Sequence, residues 1–390
     1  MKIAFDAQPL LDGTKSGVGF HEDGLVKTLL EQYPQNQYRL EYFSLRNHES
    51  KKKTLRKYKK HNTQFVSCKW FSGSLYRMIS VFLPIPHQLF FHEEKQITHF
   101  FNYYVPPFVK GKKVVTIHDM AFRVFPETVR KKTLFFLKAI IKRSIYRADH
   151  IITVSEFSKQ EIIRFYGVSK DKISVVPNGV DFKRFYPEKD KQKIETIKKK
   201  YRVFGEYFLY LGTLEPRKNL VRLMEAYAKA RKENQNFPYL VLAGGKGWMY
   251  DEIFQKVEEL DLKNNIVFTG YIEDNDVPTL MSGAIAFCFL SLYEGFGMPV
   301  IEAMACGTPV LTSNSSSLKE IVKDAAIVVN PQNVWEISKQ MYLLYVSEEL
   351  RSKYSERGLE LVKSYTWENA VKKLYIIYED LIDRKTSRSR

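Results

Sequence analysis

Residues 207–219 read YFLYLGTLEPRKN and continue as LVRLMEAYAKARKENQNFPYLVLA to Ala243. Tyr207–Leu211 is a short unbroken apolar run, Gly212–Lys218 a turn, Leu220–Glu233 a stretch of helical period and Tyr239–Ala243 a second apolar run. Apolar strands joined by a helix predict a parallel sheet covered on both faces. The unit continues as helix Asp251–Leu260 and strand Asn265–Gly270. The first half of the chain has the same logic: strand Lys2–Ala7, glycine-rich turn Asp12–Gly19, helix from about Phe20 to Tyr33. Strands Lys113–Ile117, His150–Val154 and Ile173–Val176 follow, with helices Thr128–Tyr146 and Lys159–Tyr166 between them. The fold class is therefore α/β, two doubly wound domains in tandem, with ligands expected in a cleft between the carboxyl ends of the two sheets. Pro177-Asn178-Gly179 and the charged stretch from Pro187 to Lys200 break the pattern. The expected domains are 1–187 and 188–365, with 366–390 a helix that packs back on the N-terminal domain.

The chain has 390 residues, 44% of them hydrophobic, enough for two or three packed domains and too rich for a disordered tail. Its net charge of +17 is unevenly spread. Residues 1–187 hold 32 basic and 16 acidic side chains, and residues 188–390 hold 29 and 28, so the first half is expected to meet something anionic. Cys68, Cys288 and Cys306 show no CxxC spacing, which fits a reduced, cytoplasmic protein. Asp6 interrupts the first apolar run before a signal-peptide core could form, and no stretch reaches the roughly 18 apolar residues of a spanning helix.

Chemistry concentrates in residues 291–310, SLYEGFGMPVIEAMACGTPV. Pro299 suits the first turn of a helix and Gly307 its end, so a short helix is expected over about 299–306. Glu294 then lies in the loop before it and Glu302 inside it. Gly295 and Gly297 leave amides at the helix's positive end, a ready place for phosphate. A carboxylate for sugar hydroxyls, amides for a diphosphate and a second carboxylate further along together fit a sugar nucleotide. Arg217 and Lys218, just past a strand end, would point from the strand's carboxyl end into the cleft. Two carboxylates could also serve a glycosidase, and the spacing alone does not decide.

The chain resembles the retaining, nucleotide-sugar-dependent glycosyltransferases of the GT-B architecture, two Rossmann-like domains, and in particular glycosyltransferase family 4. Its E-x7-E signature matches Glu294 through Glu302. Thr153–Ser158, Val176–Asp181, Gly212–Asn219 and Phe268–Tyr271 also look like the family. The resemblance implies Glu294 on the donor sugar, Glu302 on the ribose, and Tyr271 and Ile272 near the base. It implies Arg217 and Lys218 on the diphosphate, with Arg222 as the alternative second cation. Gly212 and the backbone of Gly295, Phe296, Gly297 and Met298 complete the donor site. From the N-terminal domain it adds His118, a cleft histidine on the sugar, and Gly17, where the backbone approaches the donor phosphates. Ser16–Gly19 fails as a dinucleotide fingerprint because Glu22 takes the last glycine position. Asp274-Asn275-Asp276 imitates a D-x-D metal motif, but a helix N-cap accounts for it better. Gly244–Gly247 is a glycine loop near the cleft that lacks the Walker A spacing. No cofactor and no metal are expected beyond the donor substrate.

Thr128–Tyr146 mixes Arg130, Lys131, Lys132, Lys138, Lys142 and Arg143 with apolar residues, and Lys51–Lys60 adds a lysine-rich run. Such a face suits an anionic membrane surface and a glycan or polyprenyl-linked acceptor; equally, the helix can pack its apolar stripe on the sheet. No nucleic-acid-binding motif is present. The expectation is a hexosyltransferase of cell-surface polysaccharide (capsule) assembly, at the inner face of the cell membrane. A GT-B-shaped epimerase or phosphorylase, or a non-catalytic basic binding protein, are the alternatives.

Overall fold

The computed structural model describes residues 1–11, 17–234, 236–247 and 249–386, so Asp12–Ser16 of the glycine-rich turn lie outside the described residues. The chain divides into two compact units. Unit 1 comprises residues 1–122, 131–179 and 367–390, and unit 2 comprises 123–130 and 180–366.

Among the described residues, unit 1 holds a seven-stranded parallel sheet. Its strands are β1 (Lys2–Asp6), β2 (Gln37–Phe43), β3 (Thr63–Cys68), β4 (Ile97–Phe100), β5 (Lys112–Thr116), β6 (His150–Thr153) and β7 (Ile173–Val175), ordered β3-β2-β1-β4-β5-β6-β7. Unit 2 holds six: β8 (Tyr207–Leu211), β9 (Tyr239–Ala243), β10 (Ile266–Gly270), β11 (Ala286–Phe289), β12 (Val310–Ser313) and β13 (Ile327–Val329), ordered β10-β9-β8-β11-β12-β13. Strand order reverses between β1 and β4 in one unit and between β8 and β11 in the other. At such points helices leave opposite faces of the sheet and open a crevice beyond the strand carboxyl ends.

The strands that read as plain apolar runs are those buried on both faces; Ile3, Ala4 and Phe5 of β1 are fully enclosed. β2 is different. It buries Arg39 and Glu41, and both Glu41 oxygens accept hydrogen bonds from the Lys95 ammonium at 2.6 Å, which offsets their desolvation. One face of the unit 1 sheet carries helix Gly17–Gln32 and the terminal helix Trp367–Thr386. Leu25, Val26 and Leu29 from the first and Val371, Leu374 and Tyr378 from the second share a core with Ile3, Phe5 and Tyr38. Close approach sets one residue here: a Cβ on Gly24 would fall 2.2 Å from the Trp367 ring.

Several boundaries move. The units change over between Gly179 and Val180 rather than at Pro187, because Val180 already pairs with the far end of unit 2, its amide donating to the Tyr365 carbonyl at 2.8 Å. The charged stretch after Pro187 forms helix Lys191–Lys200 inside unit 2. Helix Thr128–Tyr146 of the sequence reading starts at Lys131, and Arg123–Arg130 belong to unit 2, where the Phe125 ring meets Tyr293 edge-on. Helix Gly17–Gln32 starts three residues earlier than expected, so Gly17 and Gly19 are helical and not in a loop.

Candidate active site

The site in unit 2 begins where β8 ends. The Gly212 amide donates to the Ala243 carbonyl, and Leu214 and Lys246 form a short parallel bridge. A Cβ on Gly244 would sit 2.0 Å from the Gly212 carbonyl oxygen, so only glycine lets the two backbones pass. Gly244–Gly247 is thus a brace under the 212–219 loop. Beyond it, Pro216–Lys218 make one 3-10 turn, and Asn219 takes a left-handed backbone (φ 61°) to start helix Leu220–Glu233. The buried Asn219 side chain donates to the Pro331 carbonyl at 2.7 Å, which fixes the turn.

This turn is tied to the acid loop that follows β11. The Leu292 amide donates to the Arg217 carbonyl, and the Arg217 guanidinium donates to the Tyr293 carbonyl (2.5 Å) and to the buried Glu215 (2.7 Å). Arg217 Nη1 lies 3.2 Å from one Glu294 oxygen, and Lys218 Nζ donates to the other at 2.5 Å, its ammonium also lying over the Phe289 ring. The Glu294 amide donates to the Ser316 hydroxyl, and Ser317 donates to the Glu294 and Phe296 carbonyls. Gly297 is left-handed (φ 99°), and a Cβ there would come within 2.6 Å of Leu318, so glycine alone turns the loop into helix Met298–Ala305. Burial by itself would raise the Glu294 carboxyl, but Lys218 and Arg217 outweigh it and hold it at about 2. It is a carboxylate throughout the physiological range.

Glu302 lies on helix Met298–Ala305 and behaves in the opposite way. Burial pushes it up to about 7, Arg184 opposing and Asp274 adding to the rise. Arg184 in turn donates to the Asp274 carbonyl at 3.1 and 2.6 Å. Tyr271 is exposed after β10, its hydroxyl donating to Asp274, and Ile272 is buried. Asp276 stands at the N-cap position of helix Val277–Ser282, yet its side chain caps nothing. It accepts from Lys200 (2.6 Å) and Tyr201 (2.7 Å), an ion pair and a hydrogen bond that correct the N-cap reading. Among the described residues no group of His, Cys, Asp or Glu could hold a metal.

The structure therefore brings Arg217, Lys218 and Glu294 together directly, with Gly295–Met298 leading into the helix that carries Glu302. Arg222 is turned away, donating to Asn219 at 3.1 Å. In unit 1, His118 Nε2 donates to the Phe101 carbonyl at 2.8 Å, and burial lowers its pKa, so its ring is neutral. Gly17 is exposed at the start of its helix, with open space where a Cβ would be. Sequence reasoning missed His21, whose ring meets His118 edge-on at 4.9 Å and bonds Asn178 at 2.6 Å. The Asn178 of the quoted Val176–Asp181 segment was its only signal.

Residues 25–184 match the family described as Glycosyltransferase Family 4, and residues 189–361 match Glycosyl transferases group 1. The chain is 35% identical over 273 residues to the O-antigen chain mannosyltransferase B of Escherichia coli, covering 70% of this chain and 71% of that one. The chain belongs to glycosyltransferase family 4. This glycosyltransferase is also 31% identical over 221 residues to the O-antigen chain mannosyltransferase RfbU of Salmonella typhimurium, 57% of each chain. Its fold is that of the Anabaena HepE protein solved in complex with UDP-glucose, with a TM-score of 0.70 at 17% identity over 97% of the glycosyltransferase and 100% of HepE. Both units are thus GT-B glycosyltransferase domains.

Proposed function

We propose that the protein is a retaining, metal-independent hexosyltransferase that moves a mannosyl group from a nucleoside diphosphate onto a glycan or lipid-linked glycan during cell-surface polysaccharide assembly. The observation that carries this reading is the trio Arg217, Lys218 and Glu294 beside the amides leading into helix Met298–Ala305. Two fixed cations and a helix N-terminus suit a diphosphate whose charge grows as the C1–O bond breaks. The diphosphate displaces Glu294 from the cations, and the freed carboxylate accepts hydrogen bonds from sugar hydroxyls. Glu302, ionised by the hydrogen bonds it accepts, takes the ribose, and Tyr271 and Ile272 serve the base. His118 as a sugar contact and Gly17 at the donor phosphates belong to the same proposal. In same-face transfer the acceptor oxygen bonds C1 as the phosphate leaves, and the acceptor proton passes to that phosphate. The mannosyl choice is supported by the two O-antigen relatives named above.

Unit 1 is proposed to bind the acceptor and to lie on an anionic membrane at the inner face of the cell membrane. Helix Lys131–Arg147 buries Ile140, Ile141 and Ile145, so its apolar stripe mostly packs inward. Exposed apolar side chains lie both on this helix, with Phe135 64% and Tyr146 87% exposed, and on its neighbour, helix Gly73–Phe82, and the flanking chain, with Trp70 76%, Phe82 72% and Leu83 61% exposed. Arg143 donates to the Val81 carbonyl, so basic and apolar side chains share one region. Among the described residues no helix is long and apolar enough to cross a membrane.

The test is thermal shift with GDP, UDP, dTDP and ADP. One of them is expected to raise the melting temperature, since a ligand that prefers the native state stabilises it. Arg217→Ala should weaken that response about tenfold or more, the worth of a charge-assisted hydrogen bond. If all four nucleotides leave the melting temperature unmoved, the donor assignment fails.

A further inference from the structure

The carboxyl edge of the unit 1 sheet carries a second polar group that the donor chemistry does not use. β1 ends in Asp6, at the strand-order reversal. Ile3 and Phe5 point into the core beneath helix Gly17–Gln32, so Asp6, like Ala4, faces the other side of the sheet, where helix Gly73–Phe82 packs. Its carboxylate is four-fifths buried, yet its contacts are long: Arg77 Nη2 of that helix at 3.6 Å and the Gln8 amide at 3.4 Å. Burial raises the Asp6 pKa, with Arg77 and the Gln8 amide only partly opposing. A carboxylate so enclosed and so loosely held is costly unless a further donor joins it.

The adjacent strand ends are shaped as well. After β4, Tyr103 sits in the left-handed region (φ 56°), an expensive conformation for a tyrosine and one that collects at binding sites. Its hydroxyl donates to Asp119 at 3.0 Å, beyond β5. Asp6 ends β1, with Arg77 beside it, and Tyr103 and Asp119 follow β4 and β5, so both pairs lie at the carboxyl edge of the sheet, the edge at which this class of fold binds ligands.

We propose that Asp6 and Arg77 hold hydroxyl groups of an uncharged sugar at the acceptor's terminus. The pair has no net charge, and Asp6 would repel a phosphate, so a neutral pyranose fits where a pyrophosphate does not. A carboxylate accepting and a guanidinium donating is the arrangement that grips neighbouring hydroxyls. The inference rests on the transferase reading and deepens it by naming the acceptor's chemistry and its residues.

The probes are methyl α-mannoside, α-glucoside, α-rhamnoside and N-acetyl-α-glucosaminide, titrated against the full chain by saturation-transfer NMR, with glycerol phosphate as the anionic probe. At least one neutral glycoside should bind, and Asp6→Asn and Arg77→Met should each weaken it about tenfold while the nucleotide-induced thermal shift stays as in the native chain. Arg77→Met lies on a different element, so the test survives if Asp6→Asn fails to fold. Undiminished glycoside binding in the folded variants, no glycoside binding by the native chain, or preferential binding of glycerol phosphate overturns the proposal. An absent nucleotide shift in the native chain would instead overturn the donor reading.

Discussion

Glu294→Gln removes one charge from the centre of the site and keeps its shape. In the native chain the carboxylate is 8% exposed and sits against Lys218 at 2.5 Å and Arg217 at 3.2 Å. Its pKa falls from 4.5 to about 2, which at 1.36 kcal/mol per pH unit corresponds to about 3 kcal/mol of stability at neutral pH. The sign follows from the depressed value: the contribution is complete above pH 4.5 and disappears as pH falls through 2. In a unit of this size about 3 kcal/mol is roughly 6–12 °C of melting temperature. The glutamine variant should therefore melt lower at pH 7 and lose this part of the acid dependence between pH 4.5 and 2.5. Arg217 keeps Glu215 and the Tyr293 carbonyl, but Lys218 is released, so nucleoside diphosphates should bind the variant as well as the native chain or better. Transfer should vanish. Scanning calorimetry across pH, a nucleotide titration and a transfer assay read the three effects. Undiminished turnover, or the same melting temperature as the native chain at pH 7, refutes the reasoning.

Glu302→Gln should do the reverse. Because burial raises that carboxyl to about 7, its favourable term is complete below pH 4.5 and is lost as pH rises through 7; the variant should melt higher than the native chain at pH 8 and equally at pH 4.5, checked by thermal melts. Gly24→Ala drives a methyl into the Trp367 indole and should cost about 1–3 kcal/mol in a denaturant titration, with nucleotide binding by the folded fraction unaffected. Transfer should persist in EDTA, since Asp276 is engaged by Lys200 and Tyr201; strict dependence on added metal would return the Asp274–Asp276 segment to the mechanism.

What was legible in the sequence follows from burial. Tyr207–Leu211, Leu220–Glu233 and Tyr239–Ala243 have the same ends in sequence and structure, because strands enclosed on both faces have no reason to be anything but apolar. β2 escaped notice because Arg39 and Glu41 interrupt it, and their partner Lys95 lies 54 residues from Glu41, a pairing that no local pattern discloses. β4 is short, and its buried Thr98 and His99 disguise it; His99 is satisfied by Thr116 and by Tyr378 from the terminal helix. In the site, the acid-loop motif announced Glu294 and Glu302 as two carboxylates but not the opposite directions in which their pKa values move. That difference arises from tertiary neighbours: Lys218 and Arg217 crowd one, while burial dominates at the other. Gly244–Gly247 read only as a glycine loop near the cleft, and its part as a support emerges from the fold, because glycine also serves wherever two chains pass closely.

Unit 2 is, topologically, an insertion. Apart from residues 123–130, it is synthesised as one continuous block, whereas unit 1 must wait for Val371, Leu374 and Tyr378, which are translated after residue 366. On the ribosome the later-made unit can thus finish folding while the earlier one still exposes the apolar face that its last helix covers. The nascent N-terminal half is the stage at which this chain is open to chaperones and to aggregation, and a lesion in the terminal helix would be felt there first.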